Sequence, residues 1–238
     1  MEGKGSRMYA RFKIVGIGLV IAGIVFAGVG GYTYMKTQQG AHALAAFSTA
    51  QDVKLSYDDQ GQLKVGTVED GAAILSLLQN DWGYAVDKSE LNPNDPVVNT
   101  ASEYMVQMAT IAYHTLNGTQ TVVLPETVTA ADGTVYQAGS YDVPVAGRYW
   151  SAFDRTNPID AKVREQAWTG TAHALIAELG VGSVTASTLQ VGYGIAALAA
   201  ALGATLLLTG LGIVWAARPV TEKATAKATK PVTAGAAI

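Results

Sequence analysis

Two long, predominantly apolar stretches of this chain carry no charged residue: Ile14–Met35, 22 residues, and Val191–Ala217, 27 residues. Neither shows the polar stripe that marks a helix lying on the core of a soluble domain. A bilayer hydrocarbon core of about 30 Å is crossed by about 20 apolar residues rising about 1.5 Å each. Both runs are therefore predicted to be membrane-spanning helices. The first is longer than the roughly 7–15-residue core of a signal peptide, and the small-x-small sites in "AHALA" at 41–45 lie beyond its end. An uncleaved anchor is expected.

Between the runs the pattern shortens and changes period. The first helix is expected to continue through "QGAHALAAF", whose alanines and leucine favour helix. Val53, Leu55 and Tyr57 then alternate with polar residues and are answered by Leu63, Val65 and Thr67 across a turn at Asp58–Gln62, which predicts a hairpin. "EDGAAILSLLQ" reads as a short helix with an acidic first turn, ending near Asn80, and "ELNPNDP" as an irregular connector. Thr100 and Glu103 have the spacing of a capping box that opens a helix, stopped by Asn117-Gly118. On it Tyr104, Met108, Ile111 and Thr115 share a face, with Met105 and Ala112 beside them.

From Thr119 to Val145 the pattern is that of strands, with Asp132-Gly133 as a hairpin turn and Pro144 at a strand edge or end. Asn157-Pro158 opens another helix, predicted to run to about Leu179. Gly180 and Gly182 are expected to break it, with Ser183 or Thr185 capping the long second apolar helix.

Charge gives the hairpin a direction. Lys4, Arg7, Arg11 and Lys13 precede the first run against Glu2 alone, and Arg218, Lys223, Lys227 and Lys230 follow the second against Glu222 alone. Residues 36–190 hold eight basic and seventeen acidic residues, a net of −9, against +6 for the two ends. Basic residues at span ends stay cytoplasmic. The expected organisation is a basic cytoplasmic segment 1–13, spans 14–35 and 191–217, an extracytoplasmic domain 36–190 and a basic cytoplasmic tail 218–238. The fold class is a membrane α-helical hairpin carrying an α+β domain. The tail, rich in Ala, Thr, Lys and Pro, is expected to be mobile unless a partner orders it. With no cysteine, the domain holds itself without disulfides, and thiol catalysis, thiolate metal sites and iron–sulfur ligation are excluded.

The candidate chemistry is sparse. His42, His114 and His173 have no metal-site spacing. Met105, Met108 and His114 could place soft ligands for copper along one helix, but methionines three apart fill cores more often. Asp58-Asp59 and Glu69-Asp70 could furnish an acid–base pair, yet read better as a solvated surface. "GIGLVIAG" at 16–23 lies inside an apolar run and follows no strand, so it is no phosphate loop. Small residues four apart, Gly23, Ala27 and Gly31 in the first run and Gly192, Ala196, Ala200 and Ala204 in the second, instead predict close helix packing. No ionisable residue lies in either run, which argues against an ion path through this chain alone.

Two segments, "AGIVFAGVGGYTY" and "GRYWSAFDRTNP" through "AHALIAEL" into the second run, resemble a loose family of actinobacterial two-span membrane proteins with an exported domain. Some of these carry an aromatic ring-opening dioxygenase label. The resemblance covers about half of the chain. It implies a high-GC Gram-positive source and an envelope role. The dioxygenase label implies a metal site, which no residues here match, so no catalytic residue is carried over.

These features lead to the expectation of a non-enzymatic accessory subunit of a larger membrane complex, of respiratory-supercomplex or membrane-bound monooxygenase type. Its partners would be other integral membrane subunits and the lipid bilayer, with no cofactor and no nucleic acid. The alternative is an exported domain that binds a metal or small ligand for a membrane enzyme.

Overall fold

The computed structural model describes residues 2–217, with side chains from Met8 onward. The basic side chains of Lys4 and Arg7 and the tail 218–238, expected to be mobile, lie outside the described residues. Two long helices, α1 (Glu2–Gln51) and α5 (Gly170–Ala216), flank in sequence a region of shorter helices and strands. Both hold segments long and apolar enough to cross a membrane. The chain falls into two compact units, one of residues 1–35 with 193–238 and the other Lys36–Gly192.

In the first unit the helical segments pair antiparallel. Their apolar side chains point outward, among them Ile17, Ile24, Phe26, Ile195, Leu198 and Leu208, while small residues face the partner helix.

In the second unit, α1 ends where Asp52 takes the left-handed conformation (φ 49°), one that aspartate tolerates better than most residues. Its N–H still bonds the Ser48 carbonyl at 3.0 Å. The predicted hairpin forms as β1 (Ser56–Tyr57) against β2 (Leu63–Lys64). Asp58 Oδ1 closes the turn by accepting from the N–H groups of Gln60 and Gln62. The strands are shorter than the alternation suggests because the flanking residues take other partners: Leu55 N–H bonds Pro96 and Val98 N–H bonds Val53, and Thr67 caps the next helix through Asp70 N–H.

Helix α2 (Val68–Ser76) continues into a π-helical turn, Leu77–Asp81. Helix α3 (Ala101–Asn117) opens with the complete capping box of Thr100 and Glu103. Its buried stripe is Val106, Ala109, Ala112 and Leu116; on the face shared by Tyr104, Met108, Ile111 and Thr115, Tyr104 is buried and the other three are partly buried. β3 (Thr119–Leu124) pairs with β6 (Gly139–Pro144) over six positions, and the ribbon β4 (Val128–Thr129) with β5 (Val135–Tyr136) is folded between them in sequence. The strands make three separate two-stranded ribbons. Helix α4 (Pro158–Ala167) packs on β3, and its core residues Ile159 and Val163 join Ile74, Leu78, Val106 and Val122.

The expected break at Gly180 and Gly182 does not occur. The chain breaks earlier, at Trp168, and α5 runs unbroken through both glycines. Thr169 caps it, its Oγ1 accepting from Ala172 N–H at 3.1 Å. Ser183 and Thr185 therefore lie inside the helix. Each interior glycine costs about 1 kcal/mol relative to alanine, and tertiary packing offsets that cost. A β-carbon on Gly182 would sit 2.6 Å from Tyr104 Cε1, so the missing side chain is what lets the buried Tyr104 ring lie against α5.

Candidate functional site

The seven residues expected to pack helices divide into two groups. A β-carbon on Gly23 would meet the Gly203 carbonyl oxygen at 2.8 Å and Leu207 N at 2.7 Å, and one on Gly203 would meet Ala27 N at 2.6 Å. Gly30 faces Ala200 N and the Ala196 carbonyl, at 2.8 and 3.0 Å, in the same sense. In the second unit Gly192 faces the side chain of Thr37. Gly23, Ala27, Ala196, Ala200 and Gly192 thus lie at close approaches. Gly31 and Ala204 do not: Gly31 has nothing within 4 Å of the β-carbon position, and Ala204 is exposed.

The residues that reasoning from spacing missed are Gly16, Gly30, Gly203 and Gly210. A β-carbon on Gly16 would lie 2.9 Å from the Gly210 carbonyl oxygen, and one on Gly210 2.6 Å from that of Gly16. The seam therefore repeats every seven residues, Gly16, Gly23 and Gly30 against Gly210, Gly203 and Ala196. A seven-residue repeat keeps one stripe facing its partner as two helices wind left-handedly. A four-residue stripe drifts around the helix and leaves it, which is why Gly31 and Ala204 point outward. The signal was present in the sequence as the Gly16, Gly23, Gly30 recurrence.

The histidines lie in unrelated surroundings. His42 is exposed on α1, His114 stands edge-on to Tyr113, and His173 lies 5.0 Å from the Trp150 ring and 5.9 Å from Trp168. Among the described residues no three His, Asp or Glu side chains gather as metal ligands. Met108 Sδ lies 3.8 Å from the β-carbon position of Gly180, so this methionine packs toward α5. The acidic pairs are used locally: Asp58 closes its turn, and Asp70 accepts from Thr67 and from the Tyr113 hydroxyl.

No protein-family model, curated protein or solved structure matches the chain.

The segment beginning at Gly147 instead forms a clasp. Arg148 donates twice to Asp160, at 2.8 and 2.9 Å, and its Nε to the Val145 carbonyl. Its guanidinium lies 4.3 Å from the Phe153 ring centre. Trp168 Nε1 donates to the Arg148 carbonyl and its ring stacks on Tyr149, whose hydroxyl accepts from Trp82 Nε1. Arg164 covers Trp150 at 4.2 Å. Asn157 caps α4 through Ile159 and Asp160 N–H. Asp154, whose carboxylate accepts from Thr156 Oγ1 and N–H, is held below the usual carboxylate range by those two bonds. The aromatic and charged residues of this segment thus join its loop to α4 and to the start of α5.

Around the capping box, burial raises two titratable groups. Glu103 is raised by desolvation, against the lowering effect of bonds from Asn99 and Thr100. The Tyr57 hydroxyl, buried with no hydrogen-bond partner among the described residues, is pushed up to about 12 by burial and then by the Glu103 charge. Both belong to the framework around the capping box, where Glu103 Oε2 accepts from the Asn99 and Thr100 N–H groups and from the Thr100 hydroxyl.

Proposed function

We propose that this chain is a two-span membrane protein with its Lys36–Gly192 unit outside and both termini in the cytoplasm, serving as a non-catalytic accessory subunit of a larger membrane complex. The observation that carries the reading is the surface of the helix pair. One set of glycines, Gly16, Gly23, Gly30, Gly203 and Gly210, is used in pairing the two helices. A second set, Gly18, Gly28, Gly31, Gly194 and Gly212, has nothing within 4 Å of the β-carbon positions. Glycine in a helix costs about 1 kcal/mol relative to alanine when nothing packs against it. In a membrane, small residues on an outer face let another helix approach closely, so the outward set suits contact with further spanning helices. The resemblance to actinobacterial two-span proteins supports an envelope setting.

The orientation rests on charge. Basic residues flank both runs at the chain ends and the intervening unit carries −9, the distribution left by retention of basic flanks in the cytoplasm.

The test is purification of the tagged full-length chain from its native membranes in mild detergent, with mass spectrometry of its companions. A reproducible set of membrane subunits at fixed stoichiometry is the expected result. A chain that purifies alone as a monomer overturns the accessory-subunit reading.

A further inference from the structure

The end of α1, the start of α5 and one face of α3 enclose a concavity of about 590 Å³. That volume lies in the range of about 300–1,000 Å³ typical of small-molecule sites. Its walls are Leu44 and Phe47 from α1, Leu175 and Leu179 from α5, and Ile111 from α3, with Val98 at the side. Two of the hydroxyls in its lining, those of Ser48 and Tyr104, bond to each other. Ser48 Oγ donates to the Leu44 carbonyl and accepts from Tyr104 Oη at 2.7 Å, and both side chains are buried. At the Ser48–Tyr104 pair the floor therefore has its polar atoms taken up, and the walls around it are apolar.

The occupant is constrained by charge and by the rim. Glu178 is the one formally charged residue in the lining, and the surrounding unit carries −9, so an anionic ligand is disfavoured. Phe47, Leu175 and Val181 stay exposed, at 46%, 41% and 66%, although they stand on helix turns that also carry Gln51 and Glu178. Clustered exposed apolar residues rimmed by polar ones mark an interaction site. These same two helices carry the two apolar runs. On the one unbroken helix Thr185 precedes Val191 by six residues and Leu175 precedes it by sixteen, about 9 and 24 Å of helix.

We infer that this groove receives the acyl chain of a membrane phospholipid, lodged against Phe47, Ile111 and Leu175. The inference rests on the membrane reading above. A hydrocarbon chain needs no polar partner, fits a groove walled by Leu44, Phe47, Ile111, Leu175 and Leu179, and is at hand along helices that run on into the apolar spans. Gly182 is a positioning residue for the groove, since its missing β-carbon lets the Tyr104 ring form part of the floor.

The experiment reconstitutes the full-length chain in phosphatidylcholine vesicles containing a trace of phosphatidylcholine with a diazirine near the end of one acyl chain. After irradiation, adducts are mapped by peptide mass spectrometry. Adducts are expected within the apolar runs and also on or beside Phe47, Ile111 and Leu175. Filling the groove with Ile111→Trp, or with Leu175→Trp at its exposed rim, should lower the groove adducts about tenfold, the effect of roughly 1.4 kcal/mol in occupancy, and leave those in the runs unchanged. Adducts confined to 14–35 and 191–217 would overturn the groove and leave the membrane reading intact. Groove adducts that persist undiminished in Leu175→Trp would also overturn it. Absence of adducts from the runs themselves would defeat the membrane reading and this inference with it.

Discussion

Gly23 and Gly203 face each other so closely that a β-carbon on either would lie 2.8–2.9 Å from the other's carbonyl oxygen. The relationship is reciprocal, and it repeats seven residues away at Gly16 and Gly210. Neither position can gain a side chain without the helices moving apart, because the obstructing atoms are backbone. Gly203→Leu should therefore loosen the pair, costing about 1–3 kcal/mol as overpacking does. Gly212→Leu, on an open face, should cost little or stabilise the helix. Thermal unfolding of the two full-length variants in detergent, followed by circular dichroism, compares them directly.

A second pair of glycines separates helix propensity from packing. At Gly180 a β-carbon would sit 3.8 Å from Met108 Sδ, ordinary contact, whereas at Gly182 it would collide with the Tyr104 ring. Gly180→Ala should stabilise by up to about 1 kcal/mol. Gly182→Ala should destabilise by about 1–3 kcal/mol and should shift Tyr104, visible as altered near-ultraviolet dichroism.

The capping box gives a pH dependence. Glu103 Oε2 accepts from Asn99 N–H, Thr100 N–H and Thr100 Oγ1, yet burial raises its carboxyl above the ordinary 4.5. The folded chain thus holds this proton more tightly than the unfolded chain does. The resulting stabilisation is fully present below the ordinary carboxylate value and is lost as pH rises through the raised one. Glu103→Gln keeps an acceptor oxygen and has no such proton, so its urea midpoint should fall less than that of the native chain as pH is raised from 4.5 toward neutrality. Thr100→Ala should cost about 1 kcal/mol at every pH.

Arg148 tests the clasp. Its side chain and that of Asp160 are 28% and 20% exposed, so the pair is neither fully screened nor fully buried. Arg148 Nη1 alone meets both Asp160 oxygens while Nε and Nη2 reach the Val145 and Pro144 carbonyls, and lysine, with one nitrogen, cannot serve the carboxylate and both carbonyls together. Arg148→Lys should destabilise by about 1.5–3 kcal/mol, the range for hydrogen bonds to charged groups, as read from urea unfolding of the full-length chain.

Features set by short-range chemistry could be read from the residues. The Thr100–Glu103 box, the Asp132-Gly133 turn, the Asn157-Pro158 helix start and the two long apolar helices each depend on residues near in sequence. What could not be read depends on distant contacts. Gly180 and Gly182 look like helix breakers until Tyr104 and Met108 are seen against them. Trp168 looks helical until its indole is found bonded to Arg148. A four-residue spacing at Gly23, Ala27 and Gly31 predicts a helix seam there. The seven-residue alternative emerges when Gly16, Gly23 and Gly30 are matched to Gly210, Gly203 and Ala196. The acyl-chain groove has no local signature, since its walls come from three helices far apart in the chain.

The central claim is that the two apolar helices form a membrane hairpin with the intervening unit outside, and the absence of cysteine makes it directly testable. Single cysteines replacing Asp132, in the β4–β5 turn, and Thr229, in the segment after the second run, would be treated in intact cells with a membrane-impermeant maleimide. The account predicts labelling at position 132 in intact cells and at position 229 only after the membrane is opened. Labelling of both in intact cells, or of position 229 in preference to 132, would contradict it.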